Sequence, residues 1–224
     1  MSASFGPLTA ERVVIGAHYD GCEPFPAADD NASGVAVLLE LARLLAANPP
    51  KGRVELVAWS LEEPPYFRTV SMGSYFHARS LADGKVKVRA AISLETMGFY
   101  KDEAGTQHFP APGLSLLYST QANYLAVVGD LGQIGLTRKV KAAMKAGSPL
   151  PVFSINAPVA IPGIDFSDHL NYWKFGYPAV MITDTAFNRN ANYHTQTDTL
   201  DTLDYPRLAQ ATEGVFEAVW RLSQ

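Results

Sequence analysis

Three apolar runs in this chain break off into acids or a histidine. Val13-Val14-Ile15 leads into His18-Tyr19-Asp20, Arg53 to Ser60 into Leu61-Glu62-Glu63-Pro64-Pro65, and Val86 to Leu94 into Glu95. A strand that is apolar on both faces needs cover on both faces, as parallel sheets receive from their crossover helices. Helical patterns do separate these runs. Ser33 to Ala47 carries Val35, Leu38, Leu39, Ala42 and Leu45 on one face before the stop at Pro49-Pro50, and Met72 to Ala82 ends at Asp83-Gly84. Further strands are expected at 124–128 and 178–183, helices at 135–146 and 204–222, and a Gly- and Pro-rich loop over 101–116. The expected architecture is α/β, with a mixed, mostly parallel central sheet flanked by helices on both faces, forming a single domain over 1–224.

The 224 residues are 47% hydrophobic and 18% charged, enough for a sizeable core. Lys and Arg total 18 against 22 Asp and Glu, a net charge of −4, and the basic residues are scattered. That distribution argues against nucleic acid or an anionic membrane surface as a partner. No apolar run reaches the roughly 18 residues that span a bilayer. The opening Met-Ser-Ala-Ser-Phe-Gly lacks the basic and apolar regions of a signal peptide, which leaves the compartment open.

In open α/β sheets ligands bind at the carboxyl ends of the strands. His18, Asp20, Glu62, Glu63 and Glu95 all fall there, and "ADDNASG" at 28–34 precedes the first helix. So many carboxylates in one place repel one another unless a cation compensates them. Imidazole with carboxylate suits zinc and related divalent ions. Four carboxylates and two histidines exceed what one tetrahedral zinc needs, so two ions sharing a carboxylate is the economical reading. Taken singly, Asp20 could cap a turn and Asp29-Asp30-Asn31 could be an N-cap cluster. Cys22 lies near His18 and its thiolate could bind metal, although a lone cysteine is more often structural. His77 and His108 stand outside any motif. Arg189 could contact substrate or hold its loop.

The motifs "GAHYD", "ADDNASGVA", "LEEPP" with the later "MGS", "SLETMG", "SDHLNYW" and "NYHTQTDT" occur in that order over nearly the whole chain. Together they resemble the zinc aminopeptidases with a co-catalytic dinuclear site, whose relatives include glutamate carboxypeptidases and glutaminyl cyclases. The resemblance implies His18 and Glu95 as ligands of one zinc, Glu63 and His194 as ligands of the other, and Asp30 as the bridge. It implies Asp20 as the carboxylate orienting His18, Glu62 as general base on a metal-bridging water, and a cis peptide after Asp30. Glu95 departs from the family's more familiar aspartate. Asp168 and His169 correspond to wall residues rather than ligands. The tyrosine that some members use to stabilise the oxyanion corresponds to Ile164 here, which leaves that role unassigned. The implied function is a dinuclear zinc aminopeptidase acting on peptides. The rivals are a single-zinc aminoacyl (glutaminyl) cyclase, a carboxypeptidase, and a non-catalytic binding domain. Only 17 residues precede His18 where the family usually has an added helix and antiparallel strands. "ASFGP" reads as the tail of such a strand, so a shortened sheet with an exposed edge, open to homo-oligomer formation, is expected.

Overall fold

The structure is a computed structural model of the chain and describes residues 1–8 and 11–224. Its strands are β1 (Ser2–Phe5), β2 (Arg12–His18), β3 (Arg53–Trp59), β4 (Val88–Glu95), β5 (Leu125–Gly129), β6 (Val152–Asn156) and β7 (Ala179–Thr183). Its α-helices are α1 (Gly34–Ala47), α2 (Gly73–Asp83), α3 (Ile134–Gly147), α4 (His169–Lys174) and α5 (Tyr205–Leu222). The strands form one sheet in the order β1-β3-β2-β4-β7-β5-β6. The pairs β2–β3, β2–β4, β4–β7 and β5–β6 are parallel, whereas β1–β3 and β5–β7 are antiparallel. The sheet is therefore mixed and mostly parallel.

Both faces are covered, which is why β2 is buried from Val13 to His18. On one face α1, α3 and α5 pack Leu41, Leu45, Val140, Met144, Val215 and Val219 against Ile15, Leu94 and Val127. On the other, Ala78 of α2 and Tyr172 of α4 pack against Val14, Val57 and Trp59. Gly16 sits where a Cβ would strike the Val57 carbonyl and the Trp59 ring, so β2 and β3 approach as closely as they do only with glycine there. The buried stripe of α1 runs Val37, Leu38, Leu41, Leu45. Leu39, expected on that face, is 67% exposed, because the stripe turns about one position away from it. Among the described residues no helix is long and apolar enough to cross a membrane.

Two elements carry no clear sequence signal. β6 is a five-residue strand that, among the described residues, pairs only with β5, and it lies in the proline-rich stretch 149–162. The six-residue α4 is too short to show a period. The short strand expected near the N-terminus is present as β1, antiparallel to β3 along the sheet's edge.

Candidate metal centre

The sheet delivers the polar side chains to one edge. His18 is the last residue of β2 and Glu95 the last of β4; Glu62 and Glu63 follow β3 closely. Asp30 lies in the turn leading into α1, and His194 in the loop after β7. These six converge. His18 Nε2 is 3.4 Å from Asp30 Oδ1 and 3.4 Å from Glu95 Oε1. His194 Nε2 is 2.9 Å from Asp30 Oδ2 and 3.3 Å from Glu63 Oε2. Asp30 thus turns one oxygen toward each histidine. Possible ligand atoms lie within 4.8 Å of one another in the sets His18–Asp30–Glu95, His18–Glu62–Glu63 and Cys22–Glu63–His194.

Electrostatics follow from this crowding. Glu62 is driven well above the usual carboxylate range, first by burial and then by the Glu95, Asp168 and Asp30 charges, against the pull of His18. Glu95 is pushed up to about 7, chiefly by burial. Burial opposes charge on Asp30 too, but the neighbouring imidazoles of His18 and His194 bring its carboxyl below the ordinary value. His194 rises to about 10 because Asp30 and Glu63 outweigh its desolvation. Asp30 Oδ1, Glu63 Oε1 and Asp20 Oδ1 are buried without hydrogen-bond partners. Buried carboxylates with unpartnered oxygens, beside two imidazoles, form a donor set that fits divalent zinc.

A second tier holds these groups. His18 Nδ1 is 3.1 Å from the Asp20 carbonyl and 3.7 Å from its Oδ1, so the backbone of Asp20 is nearer to the imidazole than its carboxylate. Asp20 Oδ2 instead accepts the Glu63 N–H at 3.0 Å, joining the loops after β2 and β3. Asp198 accepts the N–H groups of Asp29 and Asp30 at 3.0 and 3.2 Å. Asn31 donates to the Leu94 carbonyl and accepts from the Thr96 N–H, fastening the Asp30 turn to the end of β4. The bond between Asp30 and Asn31 is cis. Ser167 Oγ donates to Glu95 Oε2 at 2.6 Å. Sequence reasoning missed Asp198, Asn31 and Ser167, although all three lie inside or beside its motifs.

Asp168 is fully buried, which lifts its carboxyl to about 6. His169 donates from Nε2 to the Ile164 carbonyl, and burial lowers it to about 4. Arg189 is buried, with Nε on Gln107 and Nη1 on the Tyr124 carbonyl at 2.9 Å each, so it holds its loop. Tyr193 stacks on His194 with ring centroids 3.9 Å apart. It lines an apolar cavity beside Glu95, together with Tyr124, Phe153, Ile164 and Met181.

A sequence profile of peptidase family M28 matches residues 3–219. The chain belongs to peptidase family M28. This M28 chain is 48% identical over 226 residues to "Uncharacterized protein YfbL" of Escherichia coli (strain K12), covering 97% of itself and 69% of that protein. It is 27% identical over 214 residues to leucine aminopeptidase 1 of Ajellomyces dermatitidis, covering 89% of itself and 50% of that protein. The fold matches the aminopeptidase from Aneurinibacillus sp. strain AM-1 with a TM-score of 0.72 at 24% identity, over 100% of this chain and 47% of the other. It matches BSAP, a zinc aminopeptidase from Bacillus subtilis, with a TM-score of 0.73 at 21% identity, over 98% and 49%. The M28 chain therefore spans about half the length of these aminopeptidases.

Proposed function

We propose that the chain is a zinc-dependent aminopeptidase with two ions. His18, Asp30 and Glu95 would hold one ion, and Asp30, Glu63 and His194 the other. The observation that carries this reading is Asp30, whose two oxygens face the two histidines at 3.4 and 2.9 Å. When bound, the ions supply Lewis acidity toward a peptide carbonyl and lower the pKa of a water. Glu62 is the general base: it takes a proton from the attacking water and returns it to the departing amine. Its buried position suits a group that must hold that proton in between without losing it to solvent. Asp20 ties the His18 and Glu63 loops together. Tyr193, stacked on His194, is a phenol whose proton is held by burial and by the surrounding carboxylates.

The choice of peptide end rests on charge. Surplus carboxylate around the site favours a substrate ammonium over a substrate carboxylate. The chief cations near the motifs that a carboxypeptidase could use are engaged elsewhere. Arg68 pairs with Asp165 at 2.6 Å, Lys174 bonds Asn171 at 2.9 Å, and Arg189 is buried on Gln107 and backbone carbonyls. Relatives named as leucine aminopeptidases support the same choice. The apolar cavity beside Glu95 favours a bulky apolar first residue.

The test is one peptide with an N-terminal leucine in free, N-acetylated and C-amidated forms. N-acetylation should lower kcat/KM by about tenfold or more, the loss of one charge-assisted contact of roughly 1.5–3 kcal/mol. Sensitivity to amidation alone would make the enzyme a carboxypeptidase. Saturation at a single zinc in elemental analysis would favour the cyclase.

A further inference from the structure

Cys22 is the chain's one cysteine and stands in the turn after β2. Its Sγ belongs to a cluster in which the sulfur, a Glu63 oxygen and a His194 ring nitrogen all lie within 4.8 Å of one another. Glu63 brings an independent sign of a missing partner: its side chain is 5% exposed and its Oε1 has no hydrogen bond. The cysteine's turn is fixed against the His194 loop. The Phe25 N–H donates to the Cys22 carbonyl at 2.9 Å, Gln196 Nε2 to the Pro24 carbonyl at 3.3 Å, and the Ala28 N–H to the Asp198 carbonyl at 3.3 Å.

We propose that Cys22 Sγ is a ligand of the ion at the Asp30–Glu63–His194 half, making it a mixed carboxylate, imidazole and thiolate site. The assignment rests on the two-ion reading above. Donors on one ion, at bond lengths of about 2.0–2.3 Å, stand roughly 3.5 Å apart, so about an ångström of side-chain adjustment closes the cluster. On binding, the thiol proton passes to solvent and the sulfur bonds as thiolate, with no change of oxidation state. Two consequences separate the halves of the site. Sulfur biases the Cys22 half toward zinc and other thiophilic metals, whereas the His18–Asp30–Glu95 half offers only nitrogen and oxygen. A fourth protein ligand also leaves fewer exchangeable positions on the Cys22 half than on the His18 side.

The experiment uses the full chain, stripped of metal and loaded with cobalt(II) chloride alone. Wild type should bind two cobalt ions and show a near-ultraviolet thiolate-to-cobalt charge-transfer band that Cys22→Ser lacks. Cobalt should also slow alkylation of Cys22 by iodoacetamide in wild type, a readout that needs no variant and has only one thiol to report on. Two bound ions with no band and unchanged alkylation would overturn the Cys22 assignment and leave the two-ion reading standing. Fewer than two ions with no band would bring down both.

Discussion

A carboxylate whose two oxygens face different imidazoles makes both halves of a site depend on one side chain. Asp30→Ala should therefore lower bound zinc from two ions per chain toward none, measured by elemental analysis after dialysis; loss of one ion only would remove Asp30 as the bridge. Glu62→Gln keeps the size and hydrogen bonding of the side chain but cannot accept a proton. Turnover of a leucyl anilide should fall about 10²–10⁴-fold with zinc content unchanged, and near-normal turnover would place the base elsewhere. At this scale the sequence is informative where a residue's own chemistry is the signal. His18, Glu62, Glu63 and Glu95 stand out because they close apolar runs, whereas His194 lies in a polar loop and is legible only through the resemblance of its motif. Asp198 is not readable in that way. It works by accepting backbone N–H groups, one of them 168 residues away, and any exposed turn carries an aspartate of the same appearance. Asn31 is hidden for the same reason, its partners being the backbone of β4.

Between elements, Glu55 shows how one acid fastens several. From β3 it accepts Arg12 Nη1 of β2 at 2.8 Å and faces His77 Nε2 of α2 at 3.6 Å, and His77 Nδ1 meets the Tyr172 hydroxyl of α4 at 2.7 Å. Burial opposes ionisation of Glu55, but His77 and Arg12 outweigh it and hold the carboxyl at about 2, below its ordinary 4.5. A depressed folded-state pKa means that the unfolded chain takes up the proton first. The stabilisation is thus complete above about 4.5 and is lost as pH falls toward 2. Urea unfolding should show wild type more stable than Glu55→Gln by about 1–3 kcal/mol at neutral pH. The gap should narrow steadily from pH 4.5 to pH 3, and a gap that stays constant with pH would assign the effect to packing alone. The helices α1, α2, α3 and α5 and the strands β2, β3, β4, β5 and β7 are readable from apolar runs and periodicity. β6 and α4 are not, since each gains its place from neighbours: β6 by pairing with β5, α4 by lodging Tyr172 against Trp59, with ring centroids 5.8 Å apart.

For the molecule as a whole, the site draws together the ends of β2, β3 and β4, the start of α1 and the loop after β7, so ions bound there crosslink distant parts of the chain. Ligands that bind only the native state stabilise it by mass action. Zinc at about a hundredfold over the dissociation constants of two sites should raise the thermal midpoint of chelator-treated protein by roughly 10–20 °C. Asp30→Ala should show little of that shift in calorimetry, and an equal shift in both proteins would mean that zinc stabilises the chain elsewhere. The sequence by itself determined the sheet's long strands and the cluster of acids at their ends, because apolar periodicity and unusual polar types are properties of local segments. Only the tertiary structure decided that β5 runs antiparallel to β7, that Arg189 is spent on holding a loop, and that Cys22 faces Glu63 and His194. It alone formed the apolar cavity, whose walls come from Tyr124, Phe153, Ile164, Met181 and Tyr193. Each of these depends on which segments the packed sheet brings side by side, and separation along the chain carries no record of that.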